Sequence, residues 1–342
     1  MGSRSTAWSD SWRGSWTKSC PPAPRTSRQK LSRPSTRNSF AVTGLGDLLK
    51  TTENWLGSRG IESGRLDAEL LLCEVLKLDR IQLYTSFDRP LSTPELDAYR
   101  RLVKRRGNFE PVAYILGRKE FYGRDFVVDS RVLVPRPDTE VLVDSVLEWL
   151  GDEAVDSEQT SGNDDPSLVL DYGCGSGAIG LTLAAERQAL RVLAVDCSPD
   201  ALDVTRENAA HLGVRDRVGF VLSDGLSAVP ERFQGSLRVL VANPPYIAKS
   251  DKDSLARDIV DYEPHLALFP DEDPLEHYRR LASTGLSWLA EGGLLAMEVG
   301  QGQATDVSAL LERAGWSEIA IRTDLARIRR VVSALRPPAR SD

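Results

Sequence analysis

The sequence predicts an α/β fold whose main part is a mostly parallel, seven-stranded sheet. From Leu168 onward, apolar segments of strand length alternate with segments of helical periodicity. This alternation is typical of a parallel sheet covered by helices on both faces. Earlier residues lack it: residues 41–108 have helical periodicity, and two apolar segments flank a Tyr-Gly pair within residues 109–135. We therefore expect a small helical bundle, then a β-hairpin, then the α/β domain.

The composition is that of an ordinary globular chain. The 342 residues are 41% hydrophobic and 27% charged, which suggests two domains. No apolar stretch approaches the roughly 20 residues that cross a bilayer, so no membrane partner is expected. The four cysteines form no C-x-x-C pair and the three histidines are scattered. This spacing argues against a metal site and a disulfide framework, and favours the cytoplasm.

Charge is unevenly distributed along the chain. The net charge is −7, yet residues 1–40 contain eight Lys/Arg and one acid. Of 43 basic and 50 acidic residues, 35 and 49 therefore remain beyond residue 40, a net charge of −14. An acidic body of this kind is poorly suited to gripping a phosphate backbone, so direct nucleic-acid binding is not expected.

Residues 1–40 are rich in Ser, Arg and Pro and have no sustained apolar periodicity. We interpret them as a disordered extension or the product of a mis-assigned start codon. Their Arg-rich, acid-poor composition also fits a transit peptide, which would place the protein in a mitochondrion or another organelle. A folded domain is the third alternative.

Residues 41–108 are predicted to form the helical domain. The segment Leu66 to Leu78 has one apolar stripe at helical spacing, made of Leu66, Leu70, Cys73 and Leu76. Ser92 and Glu95 have the spacing of a capping box. The basic cluster of residues 100–106 favours the negative end of the helix dipole; a docking surface for an RNA-binding partner is the alternative.

Residues 109–135 are predicted to form the β-hairpin linker, because Val112 to Leu116 and Phe126 to Val134 flank Tyr122-Gly123. A helix ending near Leu150 and a polar loop over residues 151–166 should follow. Strands are then expected at Leu168–Leu170, Arg191–Val195, Val218–Leu222, Leu237–Ala242, Leu294–Val299, 317–322 and 329–334. We expect this domain to span residues 136–336, before a tail at 337–342.

A glycine-rich loop follows the first strand of the α/β domain. Its candidate cofactor contacts are Gly173, Cys174, Gly175, Ser176 and Gly177. Glycines allow a tight turn and let a ligand lie against bare backbone. A dinucleotide fingerprint would require glycine at position 178, where the chain has Ala. Asp171, just before the loop, would repel a pyrophosphate and suits a cationic ligand.

Two further acidic residues end successive strands. Asp196 follows Gly175 by 21 residues, and a carboxylate there can accept both ribose hydroxyls. Asp224, followed by Gly225, ends the next strand and can reach an adenine amino group. Each acid alone is equally well explained as a loop cap, but together at strand ends they indicate adenosine recognition. Adenosine without a pyrophosphate points to S-adenosyl-L-methionine.

The segment Asn243-Pro244-Pro245-Tyr246 directly follows the fourth strand. Alone it is explained as a rigid turn. Beside the cofactor it can hold a planar amide or amino nitrogen, because the Asn243 oxygen accepts one N–H and the Pro244 carbonyl the other. Asn243, Pro244 and Tyr246 are candidate catalytic residues, Pro245 is a further substrate contact, and Asn243 also faces the cofactor. No nucleophile with a paired base occurs in this region, which disfavours hydrolase chemistry.

Several longer segments carry a family resemblance. They are Pro111 to Gly117 (PVAYILG), Glu120 to Gly123, Val132 to Glu140 (VLVPRPDTE), Asp171 to Gly180, Asn243 to Tyr246, Tyr262 to Pro264 and Glu298 to Gly302. With these segments, residues 45–335 resemble the PrmC (HemK) protein-glutamine N5-methyltransferases, which modify peptide chain release factors. PVAYILG and PRPDTE are far more specific than N-P-P-Y. Arg327 stands where the family usually has Gly.

The resemblance implies a Rossmann-like class I methyltransferase domain that uses S-adenosyl-L-methionine. It implies that the substrate is the glutamine of the Gly-Gly-Gln motif in class I release factors, docked by the helical domain. The same resemblance makes residues 243–246 substrate contacts and Gly173 to Gly177, Asp196, Asp224 and Gly225 cofactor contacts. A monomer is expected.

Three other functions remain open. A ribosomal-protein glutamine methyltransferase ranks second, because that relative departs from the PRPDTE pattern, which is intact here. A nucleic-acid adenine or guanine N-methyltransferase ranks third, since the acidic body argues against it and a duplex substrate would require base flipping. A non-catalytic adapter ranks last, because it does not explain an intact glycine loop together with Asn243.

Overall fold

The structure is a computed structural model and describes residues 44–151, 168–271 and 273–338. From Gly44 onward the chain forms one compact unit. The extension predicted over residues 1–40 and the polar loop predicted at 151–166, apart from Gly151, lie outside the described residues. Within the described ranges, no helix has both the length and the apolar character needed to span a membrane.

The first part of the described chain is helical, as predicted. Its helices are α1 (Leu45–Gly57), α2 (Gly64–Leu76), α3 (Arg80–Thr85), α4 (Thr93–Arg106) and α5 (Val112–Leu116). Helix α2 packs against both α1 and α4. The capping box at the start of α4 is confirmed: the Ser92 N–H donates to Glu95 Oε2 at 2.8 Å, and the Glu95 N–H donates to Ser92 Oγ at 3.5 Å.

The apolar stripe predicted on α2 does not form its buried face. Leu66 is 44% exposed, and the other three members of the stripe are only partly buried. The buried face instead carries Ala68, Leu71 and Leu72. The helix is apolar around most of its circumference, so a 3.6-residue period fits two neighbouring stripes and does not choose between them.

The hairpin is present but shorter than predicted. Strands β1 (Arg118–Phe121) and β2 (Arg124–Val127) pair antiparallel. Tyr122 and Gly123 connect them with φ of 53° and 70°, and two positive φ values are characteristic of the tight type I′ hairpin turn. Strand β2 ends at Val127, whereas the apolar segment that predicted it continues to Val134.

The strand expected over Val112–Leu116 is wrong, because this segment forms helix α5. Gly117 follows it with φ of 72°, the left-handed conformation that commonly ends a helix. One helical turn also buries both Tyr114 and Ile115. The apolar character that suggested a strand fits a buried helical turn equally well, because periodicity cannot separate the two in so short a segment.

The α/β domain is built on a seven-stranded sheet, as predicted. Its strands are β3 (Leu168–Tyr172), β4 (Arg191–Asp196), β5 (Val218–Leu222), β6 (Leu237–Ala242), β7 (Leu289–Glu298), β8 (Ser317–Thr323) and β9 (Arg329–Leu335). They lie in the order β5-β4-β3-β6-β7-β9-β8. Strands β3 to β7 are mutually parallel, while β9 runs antiparallel to both β7 and β8.

Helices surround this sheet. They are α6 (Glu140–Leu150), α7 (Ala178–Glu186), α8 (Pro199–His211), α9 (Arg257–Tyr262), α10 (His265–Leu268), α11 (Glu276–Trp288) and α12 (Ala304–Ala314). Short 3₁₀ turns lie at Pro137–Thr139, Arg215–Arg217, Glu231–Phe233 and Lys249–Ser254. Every residue of β3 is buried, which is the pattern of a parallel strand covered on both faces.

The register of the parallel strands brings their carboxyl ends to one level. Tyr172, the last residue of β3, lies opposite Val195 of β4 and Ala242 of β6. Asp196 in turn lies opposite Leu222 of β5. Strand order reverses at β3, because the chain first extends the sheet to one side and then to the other. Ligands bind open α/β sheets at such a switch point.

Arg327 adopts the backbone conformation that its position requires. Its φ is 63°, in the left-handed region that favours glycine. The turn before β9 is nevertheless closed, because the Arg327 N–H donates to the Asp324 carbonyl at 3.0 Å. The departure from the family pattern therefore leaves the local turn in place, with backbone strain at one residue.

A buried arginine joins the helical part to the α/β domain. Arg106 is 6% exposed, and its Nε donates to Asp67 Oδ2 at 2.6 Å. Its Nη1 contacts Asp258 Oδ2 of α9 at 3.3 Å. The Tyr262 hydroxyl, at the end of α9, donates to the Asn108 carbonyl at 2.8 Å. Arg106 therefore does more than favour a helix dipole, because it ties α4 to the segment that follows residues 243–246.

We predict that Arg106→Met lowers the free energy of unfolding by about 3–5 kcal/mol, because it removes the cationic partner of the buried Asp67. Arg100→Met in the same helix is the matched control. The Arg100 pair with Asp97 is 3.5 Å long and exposed, so its loss should cost about 0–1 kcal/mol. Urea unfolding measures both values, and equal values for the two variants would contradict the prediction.

Candidate active site

The candidate cofactor residues meet at the carboxyl ends of the strands. One cleft there is lined by Gly173, Gly175, Asp196, Asp224, Gly225, Asn243 and Pro245, together with residues that include Tyr172, Ser198, Ser223 and His277. The remaining predicted loop contacts, Cys174, Ser176 and Gly177, are not among its lining residues. The sequence-predicted residues from four strand ends are therefore neighbours in space.

The glycine loop after β3 has the conformation that glycine permits. Gly173, Gly175 and Gly177 have φ of 68°, 54° and 80°. A Cβ at Gly173 or Gly175 would meet no atom within 4 Å, so the backbone of these two residues is open to approach. A Cβ at Gly177 would lie 2.7 Å from Leu181 Cδ1 and 2.8 Å from Thr205 Cγ2. Gly177 is thus required for packing as well as for its φ.

Cys174 and Ser176 hold the loop from below. Both are buried. Cys174 Sγ lies 3.4 Å from Thr205 Oγ1, and the Ser176 carbonyl accepts a hydrogen bond from Asn208 Nδ2 at 2.9 Å. Thr205 and Asn208 belong to α8, so these contacts fix the loop on that helix. The Cys174 side chain and the Ser176 carbonyl therefore hold the loop on α8, and neither residue lines the cleft.

Asp196 closes the cleft beside the glycine loop. It is 9% exposed. Its Oδ2 accepts from the Gly175 N–H and its Oδ1 from the Ser198 N–H, both at 2.9 Å. Burial raises the pKa of the carboxyl. Each carboxylate oxygen has a second acceptor site, so Asp196 can hold the loop and still accept hydroxyl groups from a ligand.

Asp224 lies at the other end of the cleft and is more exposed. Its side chain is 72% exposed, and its Oδ1 accepts from Arg280 Nη1 at 2.7 Å. A Cβ on Gly225 would lie 3.1 Å from the same Arg280 nitrogen, so glycine leaves room for this arginine. Asp224 therefore keeps Oδ2 for a ligand donor while Arg280 fixes its orientation.

Tyr172 and His277 line the cleft and escaped the sequence analysis. The Tyr172 hydroxyl lies 3.0 Å from His277 Nδ1. Burial raises the pKa of Tyr172 to about 12 and lowers the pKa of His277, so both side chains are neutral near pH 7. His277 belongs to a helix without any motif, and only the tertiary fold brings it to Tyr172.

Asp171 lies beneath the glycine loop instead of in the cleft. It is 1% exposed, and its Oδ2 accepts from the Gly180 N–H at 2.9 Å. Its Oδ1 has no hydrogen-bond partner among the described residues. Burial raises the pKa of this carboxyl to about 7. The carboxylate predicted to favour a cationic ligand therefore acts through the loop and not by contact.

Asn243 stands between the cleft and a second cavity. Asn243 and Pro245 line the cleft. Asn243, Pro244 and Tyr246 line the second cavity. Asn243 Nδ2 donates to Thr139 Oγ1 at 3.3 Å. The N-P-P-Y segment thus divides its residues between two spaces that share Asn243 as a lining residue, together with Leu133 and Ala267.

The second cavity is mainly apolar, and its lining includes one basic and one acidic residue, Arg136 and Glu298. Its remaining lining residues are Leu133, Arg136, Ile247, Ile259, Ala267, Leu268 and Glu298. Arg136 Nη2 donates to Glu263 Oε1 at 2.6 Å, and Glu263 is 4% exposed. Arg136 lies in the PRPDTE segment and Glu263 in the Tyr262-Glu263-Pro264 segment, so the sequence marked both residues without giving them a role.

Hydrogen bonds at its hydroxyl and at its carbonyl fix Tyr246. Its hydroxyl donates to Glu298 Oε1 at 3.4 Å, and its carbonyl accepts from Gln303 Nε2 at 3.0 Å. Gln303 Oε1 also accepts from the Gly300 N–H at 2.9 Å. Burial raises the pKa of both Tyr246 and Glu298. The Glu298 to Gly302 segment therefore supports the N-P-P-Y segment.

The fold and the site define a class of protein, the class I S-adenosylmethionine-dependent methyltransferases. The family model for the methyltransferase small domain matches residues 159–266. The solved hMettl16 catalytic domain in complex with MAT2A 3'UTR hairpin 6 has a similar fold. Its TM-score is 0.50 at 13% identity, over 73% of this chain and 84% of that chain.

More specific matches cover both parts of the chain. The family model for the PrmC N-terminal domain matches residues 47–117. The release factor glutamine methyltransferase of Chlorobaculum tepidum is 40% identical over 295 residues, which is 86% of this chain and 98% of that protein. The one from Leptospira interrogans is 38% identical over 82% of this chain and 93% of its own length. The chain belongs to the release factor glutamine methyltransferase family, which confirms the predicted resemblance.

We predict that Asp171→Asn removes a pH-dependent loss of stability. The pKa of Asp171 is about 7 in the folded protein, against an ordinary value of 3.8. Between these values the folded state binds the proton and the unfolded state does not, so the free energy of unfolding decreases as pH rises from about 4 to about 7.

Urea unfolding at about pH 5 and about pH 8 tests this. The difference between the two pH values should be smaller for Asp171→Asn than for the unsubstituted protein. Asp253→Asn is the control, because Asp253 is exposed, and it should leave the difference unchanged. An unchanged difference in Asp171→Asn would show that Asp171 is ionised in both states.

Proposed function

We propose that this chain transfers a methyl group from S-adenosyl-L-methionine to the side-chain amide nitrogen of the glutamine in the Gly-Gly-Gln motif of class I release factors. The observation that carries the proposal is the position of Asn243, which lines both the strand-end cleft and the second cavity. A residue shared by two adjoining spaces can contact a methyl donor in one and an acceptor in the other.

The residues around the cleft fit an adenosine-containing cofactor. The open backbone at Gly173 and Gly175 would accommodate the part of the cofactor nearest the loop. Asp196 has acceptor sites for ribose hydroxyls, and Asp224 has an oxygen available for the adenine amino group. When bound, S-adenosyl-L-methionine supplies an activated methyl group on a sulfonium. These assignments, and those of Cys174, Ser176 and Gly177 as supporting loop residues, belong to the proposal.

The N-P-P-Y segment would hold the acceptor nitrogen. A carboxamide nitrogen is a weak nucleophile because its lone pair is delocalised. Asn243 Oδ1 can accept one of its N–H groups and the Pro244 carbonyl the other, which directs the lone pair toward the cleft. Pro244 has no N–H of its own to compete. Positioning of this kind can contribute up to roughly 7–11 kcal/mol in ideal cases.

The second cavity favours a neutral, planar side chain. Ile247, Ile259 and Leu268 give it apolar walls, which disfavour an unpaired charged group. Tyr246 is fixed at its hydroxyl and at its carbonyl, so its ring can serve as a flat wall, with Pro245 on the cleft side. This combination supports glutamine as the substrate side chain.

The parts of the proposal beyond the site follow from the same family membership. The helical domain would dock the release factor. Arg106 of α4 contacts α9, which lines the second cavity through Ile259, so the helical domain lies next to that cavity. We further propose a monomer in the cytoplasm, without direct binding of nucleic acid. The net charge of −7 is consistent with a protein partner rather than a phosphate backbone.

We predict that the purified full-length chain labels a class I release factor when it is given methyl-labelled S-adenosyl-L-methionine. Replacing the glutamine of the Gly-Gly-Gln motif by glutamate in that release factor should abolish labelling, because the acceptor nitrogen is lost. Ribosomal proteins and RNA are the comparison substrates. Equal labelling of the glutamate variant, or preferential labelling of either comparison substrate, would contradict the proposal.

We also predict that Asn243→Ala lowers kcat about 100-fold or more, the usual effect of losing a group that acts in the transition state. Cofactor affinity, measured by calorimetry, should change less than about threefold, since the cleft keeps its other contacts. Asn54→Ala, at an exposed position of α1, is the control and should retain full activity. A loss of cofactor binding as large as the loss of kcat would assign Asn243 to cofactor binding alone.

A further inference from the structure

A buried threonine contacts the proposed catalytic asparagine. Thr139 ends the 3₁₀ turn Pro137–Thr139 and is 5% exposed. Its Oγ1 accepts a hydrogen bond from Asn243 Nδ2 at 3.3 Å. Thr139 is absent from the residues that line the two cavities, so it reaches a substrate only through Asn243.

Glu298 is a second buried polar residue near this threonine. It is 2% exposed, and the neighbouring Thr139 hydroxyl acts against the rise that burial causes in its pKa. Its Oε1 accepts from the Tyr246 hydroxyl at 3.4 Å, and its Oε2 has no hydrogen-bond partner among the described residues. Arg330 of β9 also lowers the pKa of Glu298, whereas Asp138 raises it.

A threonine hydroxyl can both donate and accept a hydrogen bond. In the structure, Thr139 Oγ1 accepts from Asn243 Nδ2, so a lone pair of this oxygen faces the amide. A lone pair attracts the N–H of an amide and repels its oxygen. The Thr139 hydroxyl therefore favours the orientation of Asn243 in which Nδ2 faces it.

The two ends of an asparagine amide have nearly the same shape but opposite hydrogen-bonding character. If the Asn243 amide rotated by half a turn, Nδ2 would face the substrate, and its N–H groups would meet those of the glutamine amide. If Nδ2 stays on Thr139, Oδ1 faces the substrate as an acceptor. Only the second orientation can hold a donor nitrogen.

We propose that Thr139 is a positioning residue that fixes the Asn243 amide with Oδ1 toward the acceptor nitrogen. The inference rests on the proposed function, because it assigns a support to the residue that holds the substrate amide there. It explains why a hydroxyl is buried at the end of the PRPDTE segment, opposite a buried carboxyl of the Glu298 to Gly302 segment.

A set of nearly isosteric substitutions tests the proposal in the full chain. Thr139→Val removes only the hydroxyl, and Thr139→Ser keeps it. Thr182→Val makes the same change at another buried threonine, which is 0% exposed and whose Oγ1 has no partner among the described residues. We expect Thr139→Val to lower kcat about 10- to 100-fold, with KM for the release factor and cofactor affinity within about threefold.

The two controls separate the hydroxyl from packing. Thr139→Ser should retain kcat within about threefold, and Thr182→Val should do the same. The proposal is overturned if Thr139→Val has normal kcat, if Thr139→Ser loses as much kcat as Thr139→Val, or if the loss appears only in KM. If Thr139→Val does not fold, Thr139→Ala takes its place, because it also removes the hydroxyl and differs from Thr139→Ser by that group alone. That variant should lower kcat by a similar factor, and normal kcat would overturn the proposal.

A measurement without substrate distinguishes this inference from the proposed function. In ¹⁵N-resolved NMR spectra, the side-chain amide protons of Asn243 should exchange slowly with solvent in the unsubstituted protein and in Thr139→Ser, and faster in Thr139→Val. Equal exchange in all three overturns the inference even if the release factor is methylated. The expected exchange pattern in a protein that does not label a release factor would instead contradict the proposed function.

Discussion

The register between β3 and its two neighbours is the constraint on which the rest of the structure depends. Since Tyr172 lies opposite both Val195 and Ala242, the glycine loop, Asp196 and Asn243 must emerge side by side. Residues far apart in sequence thereby form one cleft. A shift of one residue in β6 would turn Asn243 to the other face of the sheet.

Polar groups are buried around this edge without full hydrogen bonding. One oxygen each of Asp171 and Glu298 has no partner among the described residues, and burial raises the pKa of both carboxyls. Buried polar groups without a hydrogen-bond partner lower stability. Natural proteins mostly have such groups at functional sites. Asp171 lies under the proposed cofactor cleft and Glu298 lines the second cavity. Each of the two spaces therefore has one buried carboxyl group with an unpartnered oxygen.

Much of this arrangement could be predicted from the sequence because its signals are local. Glycines at a strand end, acids at the next strand ends and N-P-P-Y after the fourth strand each form a pattern within a few residues. The α/β alternation likewise gave all seven strands. The errors arose where local signals were ambiguous, at the nearly all-apolar helix α2 and at the single helical turn Val112–Leu116.

Other residues could not be predicted because their roles exist only in three dimensions. Thr139 and Asn243 are 104 residues apart in sequence, and Arg106 reaches Asp258 across 152. No periodicity or spacing connects such pairs. The family resemblance did include Thr139, in the PRPDTE segment, and Glu298, in the Glu298 to Gly302 segment. A sequence pattern does not, however, show which residues are hydrogen-bonded to each other.

A crystal structure with a glutamine-containing Gly-Gly-Gln peptide and S-adenosylhomocysteine would test the central claim most directly, namely that Asn243 holds the acceptor nitrogen between the two cavities. The glutamine side-chain nitrogen should lie about 2.7–3.2 Å from both Asn243 Oδ1 and the Pro244 carbonyl oxygen, with its side chain in the second cavity. A glutamine nitrogen outside that cavity, or one that contacts neither oxygen, would contradict the proposed role of the N-P-P-Y segment.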